Sequence, residues 1–123
     1  MATAKEVTRI LVIEDEGDIC LLLELLLAGR KMVIDHVHNL KDAKEFIGRE
    51  QPTLVLLDNR LPDGLGIDFI GYLKQEYPLI KIIMITGVDG IAEEAVLATG
   101  ADRFISKPFT QAQLQASIAH VLN

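Results

Sequence analysis

The sequence predicts an α/β fold: a doubly wound (βα)5 three-layer sandwich built on a parallel sheet. Two observations carry that prediction. Short apolar runs recur along the chain, at Ile10-Leu11-Val12-Ile13, Leu54-Val55-Leu56-Leu57, Ile82-Ile83-Met84-Ile85 and Phe104-Ile105-Ser106, each reading as a strand buried on both faces. Helical stretches stand between them, so strand and helix alternate five times, as right-handed crossovers require. Strand order 2-1-3-4-5 is expected, with the first and fifth helices on one face and the second, third and fourth on the other.

Each element has its own signal. After the first strand, Asp18 to Ala28 reads as a helix closed by Gly29. In it Ile19, Leu22, Leu23 and Leu26 form a core stripe, while Leu21, Leu25 and Ala28 leave a neighbouring apolar face beside Cys20. Val33 to Val37 is a second strand, less apolar and so nearer an edge. Leu40, Ala43, Phe46 and Ile47 mark one face of a second helix ending near Gly48. Leu61-Pro62-Asp63-Gly64-Leu65-Gly66 reads as a turn-rich loop, and a third helix carries Ile67, Ile70 and Leu73 before Pro78. Gly87-Val88-Asp89-Gly90 is a flexible loop, and Ala92 to Thr99 a short fourth helix stopped by Gly100. Thr110 with Gln113 three residues on is a capping box opening the fifth helix, which runs to about Leu122.

At 123 residues the chain is one domain, with its core at about 7–122 and residues 1–6 as a flexible N-terminal tail. Half of the residues are hydrophobic but only 5% aromatic, so the core is aliphatic and a wholly disordered or collagen-like chain is excluded. The net charge of −6 and the lack of a basic run exclude direct nucleic-acid binding, which needs a basic face to neutralise phosphates. Cys20 is the only cysteine, so no internal disulfide forms, which fits a reducing compartment. Met1 to Glu6 lacks the apolar core of a signal peptide. The apolar stretch Ile19 to Ala28 is broken by Glu24 and is too short to span a bilayer. A cytoplasmic location is expected.

The polar residues that end the strands carry the chemistry. Ligands of such sheets bind outside the carboxyl ends of the strands, where Glu14-Asp15-Glu16, Asp58, Thr86 and Lys107-Pro108 fall. Glu14, Asp15 and Asp58 together repel, and without a counterion one of them tends to stay protonated. A hard divalent cation such as Mg²⁺ removes that conflict, preferring one or two carboxylates plus waters and phosphate oxygens. One carboxylate oxygen is then able to attack phosphorus, giving an aspartyl phosphate. Lys107 pairs with the phosphoryl oxygens, the Thr86 hydroxyl donates to another, and small Gly87 leaves the approach open.

On these residues the chain closely resembles the receiver domain of two-component response regulators, from Val7 to Leu122. The resemblance rests on Glu14-Asp15, on Asp58 followed by Leu61-Pro62-Asp63-Gly64, on Thr86-Gly87, and on Lys107-Pro108-Phe109. The family's fold is flavodoxin-like, so the 2-1-3-4-5 order is no independent expectation. The resemblance implies that Asp58 accepts a phosphoryl group from a histidine kinase or histidine phosphotransfer protein. Asp15 and Asp58 would bind Mg²⁺ directly, Glu14 directly or through water, and Arg60 through its backbone carbonyl. Thr86 and Lys107 would hold the phosphoryl group, and a cis Lys107–Pro108 bond is implied. Phe104 matches the family's switch aromatic, which with Thr86 biases the surface of the fourth helix, fifth strand and fifth helix between two states. An output domain or effector protein and a phosphorylation-dependent homodimer are the further partners implied, with no membrane contact. The protein would then catalyse only its own phosphorylation and dephosphorylation.

Some residues depart from the pattern or stay open. Glu14 replaces the commoner aspartate. Arg60 and Val88 flank the phosphoryl position, and Arg60 reaching Asp89 is expected to slow hydrolysis. Arg103 stands where a large DNA-binding subfamily carries an acid, and the fifth helix contains no lysine or arginine, so that subfamily's charged dimer contacts are not carried over. The Leu21 and Leu25 face divides evenly between packing on the fifth helix and docking of the family's phosphodonor helices. His36 and His38 are disfavoured as a metal pair, which would need further ligands. His120 reads as a surface residue and Cys20 as an inert thiol. The competing function is a small Mg²⁺-dependent phosphohydrolase with an aspartate nucleophile. Such enzymes generally need a second acid two residues on, where Arg60 stands, and a water-excluding cap.

Overall fold

The computed structural model describes residues 7–17, 21, 24–25, 32–87 and 92–122. Among them five strands form one parallel sheet: β1 (Thr8–Ile13), β2 (Met32–Val37), β3 (Leu54–Asp58), β6 (Lys81–Thr86) and β7 (Arg103–Ser106), in the order β2-β1-β3-β6-β7. This is the expected 2-1-3-4-5, renumbered because two short strands intervene. Those two, β4 (Arg60–Leu61) and β5 (Gly64–Leu65), pair antiparallel across Pro62-Asp63. The sequence predicts a turn-rich loop there, and its turn residues do reverse the chain, but a ribbon two residues deep has no apolar alternation to reveal it.

Period-two alternation divides the core between the sheet's faces. Leu11, Ile13, Val55, Leu57, Ile82 and Met84 point one way. They pack on α1 (Leu40–Arg49) through Ala43 and Ile47, on α2 (Gly66–Glu76) through Phe69, Ile70 and Leu73, and on α3 (Glu93–Ala98) through Val96. Ile10, Val12, Leu54, Leu56, Ile83 and Ile85 point the other way, onto Leu114, Ile118 and Val121 of α4 (Gln111–Leu122). The second, third and fourth expected helices therefore share a face, with the last one opposite. Of the expected first helix, Asp18 to Ala28, Leu21, Glu24 and Leu25 are helical, as is Gly17 just before it. Its core stripe, Cys20 and Gly29 lie outside the described residues.

Helix ends follow local chemistry. Thr110 and Gln113 close the expected capping box: the Gln113 amide donates to Thr110 Oγ1 at 3.0 Å and the Thr110 amide to Gln113 Oε1 at 2.8 Å. Helix α3 is a residue shorter at each end than expected. Ala92 stands at its start without a side-chain cap, and the Thr99 hydroxyl turns back to donate to the Val96 carbonyl at 2.6 Å. Gly100, at φ +115°, then ends the turn with its missing Cβ facing the Lys74 side chain. Among the described residues no helix is long and apolar enough to cross a membrane.

Candidate functional site at the strand ends

The sheet's register decides where the polar tips meet. Ile13 pairs with Leu57, Asp58 with Ile85, and Thr86 with Ser106. The residues that follow β1, β3, β6 and β7 therefore emerge side by side at one edge. Glu14, Asp15, Glu16, Asp58, Arg60, Thr86, Gly87 and Lys107 line a single open cleft of about 570 Å³. Every expected site residue except Phe104 is on that list, and Phe104 sits beneath it. Met84 pairs with Phe104, which places Phe104 diagonally below Thr86 on the same face, half-buried against the helical core.

Within the cleft Asp58 is 8% and Glu14 2% exposed, whereas Asp15 is exposed. Lys107 Nζ lies 3.1 Å from Glu14 Oε2, 3.6 Å from Asp58 Oδ2 and 3.6 Å from Glu16 Oε1. The Lys107 amide donates to the Thr86 carbonyl at 2.8 Å, anchoring the lysine to the end of β6, and Lys107–Pro108 is cis. Burial pushes the Glu14 carboxyl up to about 7, aided by the hydrogen bond and like charge of Asp58 and opposed by Lys107. Burial acts to lower the Lys107 ammonium, but Glu14 and the other acids outweigh it and the net shift is upward. Among the described residues, four carboxyl side chains share the cleft with two bases, Arg60 and Lys107, so these acids remain short of positive charge.

That donor set suits a hard divalent cation, all oxygen and undercompensated. Among the described residues no three acidic, histidine or cysteine side chains gather into a ready-made metal cage.

Two further residues belong to the site. Glu16 is in sequence only part of an acidic run, yet it reaches Lys107. Asn59 is 3% exposed and binds Asp58 to α2. Its amide donates to Asp58 Oδ1 at 2.7 Å, its carbonyl accepts from the Gly66 amide at 2.7 Å, and its Oδ1 accepts from the Ile67 amide at 3.0 Å. It thus caps a helix whose own N-cap, Leu65, offers no side-chain acceptor. Gly66 is needed at this junction, because a Cβ there would collide with the Asp58 carbonyl oxygen. No local spacing links Asn59 to a cap eight residues on. Asp63 acts similarly at longer range, accepting from the Leu40 and Lys41 amides at 2.9 and 3.0 Å.

Val88 and Asp89 lie outside the described residues, so the Arg60–Asp89 contact does too. Leu21 and Leu25 are 60% and 68% exposed, so packing on the last helix does not cover them. The His36 and His38 rings stand 4.4 Å apart, and His36 bonds to backbone at the tip of β1.

The family model of the response regulator receiver domain matches residues 10–119. The chain is 38% identical to response regulator protein PilR of Pseudomonas aeruginosa, over 91% of this chain and 25% of that protein. It is 37% identical to the phosphate regulon transcriptional regulatory protein PhoB of Escherichia coli, over 93% of this chain and 51% of that protein. It therefore spans a quarter to a half of these relatives. Among solved structures, the signal receiver domain of a Luxo repressor protein from Vibrio parahaemolyticus superposes with a TM-score of 0.89 at 29% identity, covering 95% of this chain and 91% of that one. The N-terminal domain of the nisin resistance regulator NsrR gives 0.84 at 34% identity, covering 96% and 100%.

Proposed function

The chain belongs to the receiver domains of two-component response regulators, and from that premise we propose that Asp58 is its phosphoacceptor, taking a phosphoryl group from a histidine kinase or histidine phosphotransfer protein. The observation that supports this most directly is the buried Asp58 carboxylate, 3.6 Å from Lys107 in a cleft short of positive charge. Receiver domains generally use Mg²⁺ for phosphorylation. Glu14, Asp15, Asp58 and the Arg60 backbone carbonyl would hold the ion here, and when bound it supplies positive charge against the phosphoryl oxygens.

This chain's residues divide the remaining work. The Asn59 amide engages Asp58 Oδ1, leaving Oδ2, on the Lys107 side, to attack phosphorus. As the new P–O bond forms, the P–N bond to the donor imidazole breaks and its electron pair returns to the ring nitrogen. The Lys107 ammonium pairs with a phosphoryl oxygen and the Thr86 hydroxyl donates to another. Drawing Thr86 toward the phosphoryl group opens room diagonally below it for Phe104 to turn inward. That is the coupling to the face of α3, β7 and α4, where an output domain, an effector or a second copy would respond. Residues 7–122 act as one such domain, modifying only themselves. The phosphohydrolase alternative gains no support, since the matching family and relatives are response regulators.

Incubation with acetyl phosphate and Mg²⁺, followed by intact-mass and peptide mapping, tests the reading. A phosphoryl adduct on Asp58 is expected. An unmodified chain, an adduct confined to other residues, or sustained phosphate release from many esters would refute it.

A further inference from the structure

His36 stands on the edge strand β2, paired in register with Val12. Its ring reaches diagonally past the end of β1, where Nε2 lies 2.8 Å from the Glu14 carbonyl oxygen. A carbonyl only accepts, so Nε2 carries the hydrogen and donates it. The Glu14 amide in turn donates to the Val37 carbonyl at 3.1 Å. Ile13 is the last residue of β1 in register with β2, so beyond it the chain leaves the sheet. Glu14 is nonetheless tied to β2 through both its N–H and its C=O, the second tie being a side chain. The His38 ring, 4.4 Å away at 60°, crowds His36 and restricts its rotation.

The Glu14 carbonyl belongs to the peptide that joins Glu14 to Asp15. Its direction sets both how the Glu14 side chain enters the cleft and where Asp15 begins. We propose that His36 is a positioning residue for the acidic tip: by holding the Glu14–Asp15 peptide it aims both carboxylates into the cleft and so tunes the affinity of that tip for a divalent cation. The proposal rests on the reading of the cleft as a Mg²⁺ and phosphoryl site. It assigns His36 no contact with the ion or the phosphoryl group.

The test compares His36→Leu, which removes the donor, with His36→Gln, which restores an N–H at similar reach. Calorimetric titration with Mg²⁺ is expected to show roughly two- to tenfold weaker binding for His36→Leu, the range of one net hydrogen bond, and near-parent binding for His36→Gln. Amide hydrogen exchange should quicken at Glu14 in His36→Leu while β1–β2 pairing below it stays protected. With acetyl phosphate as donor, the Mg²⁺ concentration for half-maximal rate should rise while the maximal rate holds. A parent that binds Mg²⁺ normally, with His36→Leu equal to it or His36→Gln as weak as His36→Leu, overturns the role of His36 alone. A parent that binds no Mg²⁺ overturns the cleft reading and this proposal with it.

Discussion

At the tip of β1, Glu14 is nearly fully buried and its carboxyl is raised to about 7. At the turn between β4 and β5, Asp63 stands in solvent with its carboxyl held below the ordinary range, mainly by the Leu40 amide and further by that of Lys41. The difference lies in what faces each charge. Asp63 has two helix-terminal N–H donors and full access to water, so its ionised form is favoured. Glu14 has lost water, lies against Asp58, and has Lys107 as its main compensation. The satisfied acid holds the fold together. The undersatisfied one belongs to a site that gains when a cation or a cationic partner arrives.

Substitutions at the two regions should separate these roles. Asp58→Asn removes the proposed nucleophile and, with it, the like charge beside Glu14. Phosphorylation by acetyl phosphate should be abolished, read as no adduct by intact mass, and the Glu14 carboxyl should titrate lower by NMR. A variant still phosphorylated at the normal rate would break the contrast at its centre.

Glu14→Gln addresses stability in metal-free buffer. The folded chain keeps the Glu14 proton up to about 7, while the unfolded chain releases it near 4.5, so between those values the folded state holds more protons. Stability therefore falls as pH rises through that window, by on the order of 3 kcal/mol. Urea unfolding at several pH values should show this decline in the parent and its loss in Glu14→Gln.

Gly66→Ala drives a methyl into the Asp58 carbonyl. A cost of about 1–3 kcal/mol is expected in urea unfolding, together with slower phosphorylation, because the same junction orients Asp58. Asp63→Ala should have the smallest effect. Its folded carboxyl is lowered, so its contribution is present above the ordinary aspartate range and is lost as pH falls through the lowered value. Thermal unfolding should therefore show the variant below the parent at neutral pH, with the two converging in acid. Phosphorylation at Asp58 should be little changed.

Most of the architecture was legible because parallel strands buried on both faces must be continuous apolar runs, and each run here ends at a polar residue of distinct chemistry. That Glu14, Asp15, Asp58, Thr86 and Lys107 fall at strand ends was readable from that placement, and the Thr110–Gln113 cap from spacing alone. The roles of Asn59, Asp63 and His36 were not. Each acts on a backbone group that the chain brings near only after folding: Ile67 across the β4–β5 ribbon, Leu40 and Lys41 from 23 and 22 residues away, and Glu14 from a neighbouring strand. In the sequence Asp63 is one residue of a turn-rich loop, His36 is half of a disfavoured metal pair, and Asn59 carries no signal of its own.

Hydrophobic periodicity and residue type are local properties, so the order of amino acids alone was enough to specify the alternating elements and which polar groups end each strand. Pairing register and crossover packing are long-range, and only the folded sheet decided that those ends share one cleft, how far Lys107 stands from each acid, and which acid is starved of water. Charge follows solvation and neighbours, and these exist only once the chain has closed on itself.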